Sequence, residues 1–380
     1  MTVIDLLLTP EQQKYQELAR KFTREHILPV AAEYDRKGEF PWPVVKAVKE
    51  IGLNCMTAPK EYGGPGLDSV TISVIMEEFA YGCGGIATTL GGNGLSSYPV
   101  LIAGTEEQKK LFFGILVEGG LGAFALTEPG AGSDAGAVAT VARKVGDEFV
   151  INGTKCFITT GAMADVFIVF ASTDPTLKHR GLSVFIVERD REGISIGHEE
   201  HKMGIRSSNT VEVRFKDVRV PAGHLLGREG DGFKIAMQTL DMARPIVGAI
   251  AVGIARAALE ECISYVKARI ENGKPMSADQ SIQFRLADMA IKVETARLMV
   301  RRALALKEAG LPYSKESAMA KTLAGDVAME VTAEAVEIMG CLGYSKDSRV
   351  EKLMRDAKIT QIYEGTNQVQ RIVIANHLLK

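Results

Sequence analysis

The sequence lacks any apolar run near the ~18 residues that a helical membrane span requires. It also lacks a charge excess: 45 Lys and Arg stand against 47 Asp and Glu, a formal net charge of -2. That balance excludes the basic footprint of a nucleic-acid binder, and no like-charge block marks a basic arm or an acidic tail. Cysteine is scarce. Five residues (Cys55, Cys83, Cys156, Cys262 and Cys341) lie far apart and are odd in number, which fits neither a disulfide framework nor a paired-cysteine metal site. They are expected as small core residues in a reducing compartment. Met1 to Thr9 has three leucines but no basic segment and no small-residue cleavage site, so no secretory signal is read and a cytoplasmic location is expected.

What is present is an ordinary globular composition, 46% hydrophobic and 24% charged. At 380 residues the chain exceeds one core, so two or three domains are expected. Thr9-Pro10-Glu11-Gln12 forms a capping box with proline at the first helical position. Tyr15, Leu18, Ala19 and Phe22 then follow the helical period. Pro41, Pro43, Pro59 and Gly63, Gly64 and Gly66 mark loops between further helices. From about residue 121 the pattern turns to strands. Val211 to Lys216 alternates strictly, Phe167–Phe170 and Val184–Val187 read as buried strands, and Gly146-Asp147 and Asn152-Gly153 read as hairpin turns. Beyond 230 long helices return. Ile282, Leu286, Met289, Val293, Ala296 and Val300 form one apolar face; Met319, Leu323, Val327 and Val331 form another. The expected domains are therefore 1–120 helical, 121–230 β and 231–380 a helical bundle.

Thr127-Glu128-Pro129-Gly130-Ala131-Gly132-Ser133-Asp134 follows a predicted strand. Its glycines give GxGxxxG, one residue too long for a dinucleotide fingerprint, and hairpins rather than a helix follow. The segment is either a plain loop or one whose backbone approaches a ligand, with Thr127 and Ser133 as hydrogen-bonding groups. His198-Glu199-Glu200-His201 has its histidines three apart in a strand-rich region, so a solvated turn is expected there rather than a zinc site; no metal is expected. Glu364-Gly365 lies between an apolar run and a helix beginning near Thr366. The glutamate is either an exposed loop residue or one facing a pocket.

Ile362-Tyr363-Glu364-Gly365-Thr366 with Gln368 resembles the catalytic signature of the acyl-CoA dehydrogenase family. The segment Thr127–Asp134 resembles its flavin and substrate loop, and Phe157-Ile158-Thr159 its second flavin segment, where tryptophan is common in place of phenylalanine. Asp241–Pro245 and Glu351–Asp356 match too. The resemblance spans essentially the whole chain and implies a mainly α fold: an N-terminal helical domain, a small β-barrel or sandwich, and a C-terminal four-helix bundle. It implies Glu364 as the base, with FAD held by Phe124, Leu126, Thr127, Gly132, Ser133, Phe157, Ile158 and Thr159. FAD would also be held, partly across a subunit interface, by Arg269, Gln280, Glu337, Cys341, Thr366 and Gln368. Acyl-CoA would meet Ser133, Asp241, Arg244, Tyr363 and Gly365. Asn272, Glu337 and Cys341 depart from the family's phenylalanine, glutamine and glycine, all at the adenosine end of FAD, where they bear on binding strength rather than on the chemistry.

The implied reaction is removal of an α-proton and transfer of a β-hydride to flavin N5, leaving a 2,3-enoyl thioester. A homotetramer and an electron-transfer flavoprotein as electron acceptor are implied as well. Burial should raise the basicity of Glu364 towards a weakly acidic α-proton. Gly91, Gly92 and Gly94 around Asn93 suggest either close packing against a ligand or a helix that starts later, and Tyr98 with Pro99 would close the pocket. A short, branched or alicyclic acyl group is therefore expected. Reduction of an enoyl-CoA, or an oxidase or monooxygenase on the same scaffold, are the alternatives; the glutamate weighs against a monooxygenase.

Overall fold

A computed structural model describes residues 8–380; the signal-peptide reading of the N-terminus rests largely on residues 1–7, which lie outside them. The N-terminal helices are α1 (Pro10–Phe22), α2 (Ala31–Lys37), α3 (Trp42–Glu50), α4 (Ser69–Gly82), α5 (Gly84–Ala103) and α6 (Glu106–Val117). The capping box forms: Thr9 Oγ1 accepts from the Gln12 amide, and Gln12 Oε1 from that of Thr9. Ala19 and Phe22 bury on the core side of α1. Pro41 caps α3, and Pro43 lies inside its first turn rather than in a loop.

The β region comprises β1 (Gly122–Ala125), β2 (Val141–Val145), β3 (Glu148–Thr159), β4 (Val166–Ser172), β5 (Leu182–Glu188), β6 (Ile194–Glu199), β7 (Thr210–Pro221) and β8 (Leu225–Leu226). They form one mostly antiparallel sheet in the order β6-β7-β3-β2-β4-β5-β8, with β1 pairing parallel to β4. Period-two alternation lets β4 serve two cores. Phe167 and Val169 face a core made within the sheet, while Val166, Ile168 and Phe170 pack towards Phe112, Phe113 and Leu116 of α6. Gly146-Asp147 turns β2 into β3 as expected, with Gly146 at φ +61°. Asn152-Gly153 does not turn. It sits within β3, where the ladder to β7 shifts register. A Cβ at Gly153 would lie 2.2 Å from Thr140 Oγ1, and Asn152 instead bonds Asp217 through both amide atoms. His198 and Glu199 end strand β6 rather than forming a turn.

Three long helices, α7 (Gly232–Ala268), α8 (Gln280–Glu308) and α9 (Ser314–Met339), are followed by short α10 (Cys341–Tyr344), α11 (Val350–Ile359) and α12 (Asn367–Leu378). The α8 face from Ile282 to Val300 is inward, as its period implies. On α9 the buried stripe is Ser317, Ala320, Lys321, Ala324, Val327, Ala328, Val331 and Ala335, so Met319 falls outside it and is exposed. One apolar core runs from α1, α3, α4 and α5 through α7, α8, α9 and α11. The two helical regions thus share a core, and the sheet packs beside them. Among the described residues no helix is long and apolar enough to cross a membrane.

Candidate active site

The site begins with a turn. Helix α11 ends at Ile359, whose carbonyl accepts from the amides of Ile362 and Tyr363. The chain then reverses through Glu364 at φ +52° and Gly365 at φ +90°. That φ favours glycine, and a Cβ on Gly365 would displace Gln370 Nε2, 2.5 Å away, from the turn carbonyls it holds. Thr366 caps α12, its hydroxyl accepting from the Val369 amide. The turn projects Glu364 into a cavity of about 960 Å³ bounded by α5, β1, the segment 126–136, the end of β3, α7 and α12.

Glu364 is the chemically distinctive group. The residue is half-buried and lines the cavity, and its Oε2 is buried with no hydrogen-bond partner. Burial pushes its carboxyl from 4.5 up to about 7, while Lys321 and Arg244 pull the other way. Arg244 lies on α7 and is buried, its guanidinium held by Asp241 at 2.5 Å while its Nε finds no partner. Pro245 follows it and has no N–H, which frees the carbonyl of Asp241; Ser317 Oγ fills that vacancy at 2.7 Å.

The opposite wall is mostly uncharged, with Asp134 the acidic residue on it. Phe124, Leu126, Thr127, Gly132 and Ser133 all line the cavity, as do Phe157 and Thr159. Phe157 is held at φ +55°, where the β3–β7 register shifts, and its ring is 61% exposed. Ile158 is the exception among the expected residues. Its side chain packs into the sheet core, so only its backbone is left to reach a ligand. Along α5, Gly91, Gly92 and Gly94 line the cavity and the helix starts before them at Gly84, which removes the later-start alternative. Asn93 faces the other way, donating to Asn54 and Gly120 carbonyls and accepting from the Gly122 amide; it clamps α5 to β1. Tyr98 is buried and lines the cavity, whereas Pro99 does not.

Tyr363, Gly365 and Thr366 join Glu364 at the cavity, while Asp241 stands behind Arg244 rather than on the wall. Arg269, Gln280, Glu337, Cys341 and Gln368 are not brought to this cavity; all are exposed, at the C-terminal cap of α7, the start of α8, the end of α9, the start of α10 and the first turn of α12. Glu337 pairs with Arg285 at 3.3 Å. Sequence reasoning missed Lys321, whose ammonium donates to the Gly365 carbonyl at 2.8 Å and Asn367 Oδ1 at 2.9 Å. A signal was available: a lysine four residues after Ser317 and three before Ala324 falls on the apolar stripe of its helix.

The three-part α-β-α order, with Glu364 facing a cavity walled by Phe157, agrees with the flavoprotein family that the sequence motifs resemble. The family models for the acyl-CoA dehydrogenase N-terminal, middle and C-terminal domains match residues 9–120, 123–218 and 230–379, and the chain belongs to that family. It is 44% identical to the mitochondrial short-chain specific acyl-CoA dehydrogenase of Bos taurus, covering 100% of this chain and 93% of that protein. It is 47% identical to an acryloyl-CoA reductase (NADH) of Anaerotignum propionicum, covering 100% and 97%. Among solved structures, butyryl-CoA dehydrogenase from Megasphaera elsdenii superposes with a TM-score of 0.96 at 45% identity, covering 99% of this chain and 100% of that one. A chain from a structure of the electron transferring flavoprotein of Acidaminococcus fermentans superposes at 0.97 with 45% identity, covering 99% and 100%. FAD is the cofactor of this family, and the residues fit it: an uncovered aromatic face at Phe157, hydroxyls at Thr127 and Ser133, and open space where Gly132 would carry a Cβ.

Proposed function

We propose that the protein oxidises a short acyl-CoA thioester to its 2,3-enoyl form, with Glu364 as the catalytic base. The carrying observation is the carboxyl at a left-handed turn, facing the cavity with its Oε2 buried and unpartnered and its proton affinity raised to about 7. FAD, when bound, supplies the two-electron acceptor for the hydride that leaves Cβ. The chain's own residues do the rest. Glu364 takes the proton from Cα, as a base made stronger by its burial. Arg244 keeps a positive charge beside Glu364 and thereby limits how far burial raises its proton affinity. Phe124, Leu126, Thr127, Phe157 and Thr159 would hold FAD, and Ser133, Tyr363 and Gly365 the thioester.

A short, branched or alicyclic acyl group is favoured because buried Tyr98 lines the cavity beside the glycine-rich wall of α5, where it would limit chain length. The relatives named for short-chain and butyryl substrates support the same reading. The test is anaerobic bleaching of FAD-loaded protein by butyryl-, isobutyryl-, cyclohexanecarbonyl-, octanoyl- and palmitoyl-CoA. Rapid bleaching by the first three is expected; a clear preference for octanoyl- or palmitoyl-CoA would overturn the pocket reading.

A second reading has its own support. A carboxyl with a pKa near 7 populates both forms at neutral pH, so the same Glu364 can return a proton to Cα and serve enoyl-CoA reduction, as the similarity to the acryloyl-CoA reductase suggests. An electron-transfer flavoprotein is the proposed redox partner, supported by the superposition on the Acidaminococcus chain. A cytoplasmic location fits the five free cysteines. A homotetramer is proposed from Phe284, Ile291 and Leu298, which repeat every seven residues along α8 and stay 62%, 63% and 50% exposed. A second subunit covering that stripe could bring Arg269, Gln280, Glu337 and Cys341 to FAD. An active, flavin-loaded monomer in sedimentation would refute the assembly.

A further inference from the structure

Lys321 is a cation in a place where packing alone would select an apolar chain. Its side chain is fully buried on the core stripe of α9, where methionine would fill the same volume without losing hydration. Its ammonium spends two of its three donors on the turn that carries Glu364, reaching the Gly365 carbonyl and Asn367 Oδ1. The remaining Asn367 donors go to Thr322 O and Asp326 Oδ1, and Asp326 also accepts from Gln361 and Arg371. Helix α9 therefore grips residues 361–371 at several points, with Lys321 nearest the glutamate. Glu364 and Gly365 both occupy the left-handed region outside any helix or strand, and side chains hold their carbonyls: Gln370 Nε2 of α12 donates to both, at 3.3 and 2.9 Å, and Lys321 shares that of Gly365. The charged and titratable groups facing the pair are Glu364 itself, Arg244 and Asp241 from α7, Asp326 from α9, Tyr98 from α5 and Tyr363 beside Glu364.

We propose that Lys321 is a positioning residue for the base: its ammonium fixes the Glu364-Gly365 turn from behind and biases Glu364 towards its ionised form. This rests on the reading of Glu364 as the base. The mutual influence supports the geometry. Burial pulls Lys321 down to about 8 while Glu364 holds it up, and Lys321 is the leading influence that opposes the burial-driven rise at Glu364. Above its own pKa Lys321 loses that bias, so the two groups titrate as a coupled pair.

The experiment compares pH profiles of kcat, with an artificial electron acceptor, for the wild type, Lys321→Met, Lys321→Gln, Lys321→Arg and Glu364→Gln, all FAD-loaded. Thermal unfolding of each is followed in parallel. Lys321→Gln keeps a donor for the Gly365 carbonyl but not the charge, and decides the matter if Lys321→Met does not fold. The expected result is an acidic limb moved to higher pH by about one unit in the Met and Gln variants, and near its original place in Lys321→Arg. A slower enzyme with an unmoved limb would leave Lys321 a structural staple and overturn the inference, while Glu364→Gln would still be inactive. An active Glu364→Gln would instead overturn the base assignment and this inference with it.

Discussion

Two buried lysines stand on opposite sides of the cavity, and they live in different circumstances. Lys155, on β3 behind the wall that carries Leu126 and Thr127, meets Glu128 at 2.7 Å and the Leu126 carbonyl at 3.1 Å. Glu128 in turn accepts from the amides of Ala139 and Thr140, so both its oxygens are occupied. Burial alone would raise Glu128, yet Lys155 together with the hydrogen bonds from Thr140 and Ala139 holds the carboxyl below its usual value; burial pulls Lys155 down to about 8. Lys321 is pulled equally low but bonds only neutral oxygens, and the carboxyl that influences it most, Glu364, keeps one oxygen free. A closed ion pair with both carboxyl oxygens occupied is scaffold. A buried carboxyl left unsatisfied and open to a cavity retains the affinity for a proton that chemistry needs.

Substitutions on the two sides should therefore fail in different ways. The largest effect is expected from Glu364→Gln, which is near-isosteric: it should retain FAD and lose substrate-induced bleaching by about 10⁴-fold, as stopped-flow absorbance would show. Rapid bleaching by the variant would erase the contrast with the scaffold pair. Lys155→Met should act on stability instead. It strands Glu128 as a lone buried charge, and denaturant unfolding should show a loss of about 3–5 kcal/mol, with most of it recovered in the double variant Glu128→Leu/Lys155→Met. Full recovery of neither stability nor folding in the double variant would mean that the pair does more than balance itself.

The pH dependence sharpens the comparison further. The folded-state pKa of Glu364 is raised from 4.5 to about 7, so folding favours its protonated form. Its penalty on stability is absent below pH 4.5, grows between 4.5 and 7, and is complete above 7. Glu364→Gln should match the wild type near pH 4 and be more stable at pH 8, by at most about 3 kcal/mol. Equal stability at both pH values would show that the carboxyl is not perturbed. The smallest of these effects is expected for Arg244→Ala, which should keep FAD and lower kcat/KM by about 10- to 100-fold, through lost charge and lost packing beside Glu364. Unchanged kinetics would reduce Arg244 to a helix residue that Asp241 happens to hold.

Local pattern carried much of the fold. The capping box at Thr9, the alternation of Val211 to Lys216 and the apolar face of α8 needed only nearest neighbours along the chain, and each appears as read. Signature residues placed Glu364, Phe157 and the 124–133 segment at one cavity, because a motif preserves local geometry together with its chemistry. Other features depended on partners far away in sequence. Asn152-Gly153 has the composition of a turn, yet Asp217 and Thr140 draw it into a strand. Met319 fits a helical period but sits one position off the face that α7 and α11 cover. Whether Glu364 was an exposed loop residue or a buried one could not follow from Glu-Gly alone. That depended on α5, α7 and α9 closing around the turn, since desolvation and the field of Lys321 and Arg244 are properties of the packed molecule, not of the segment that carries the glutamate.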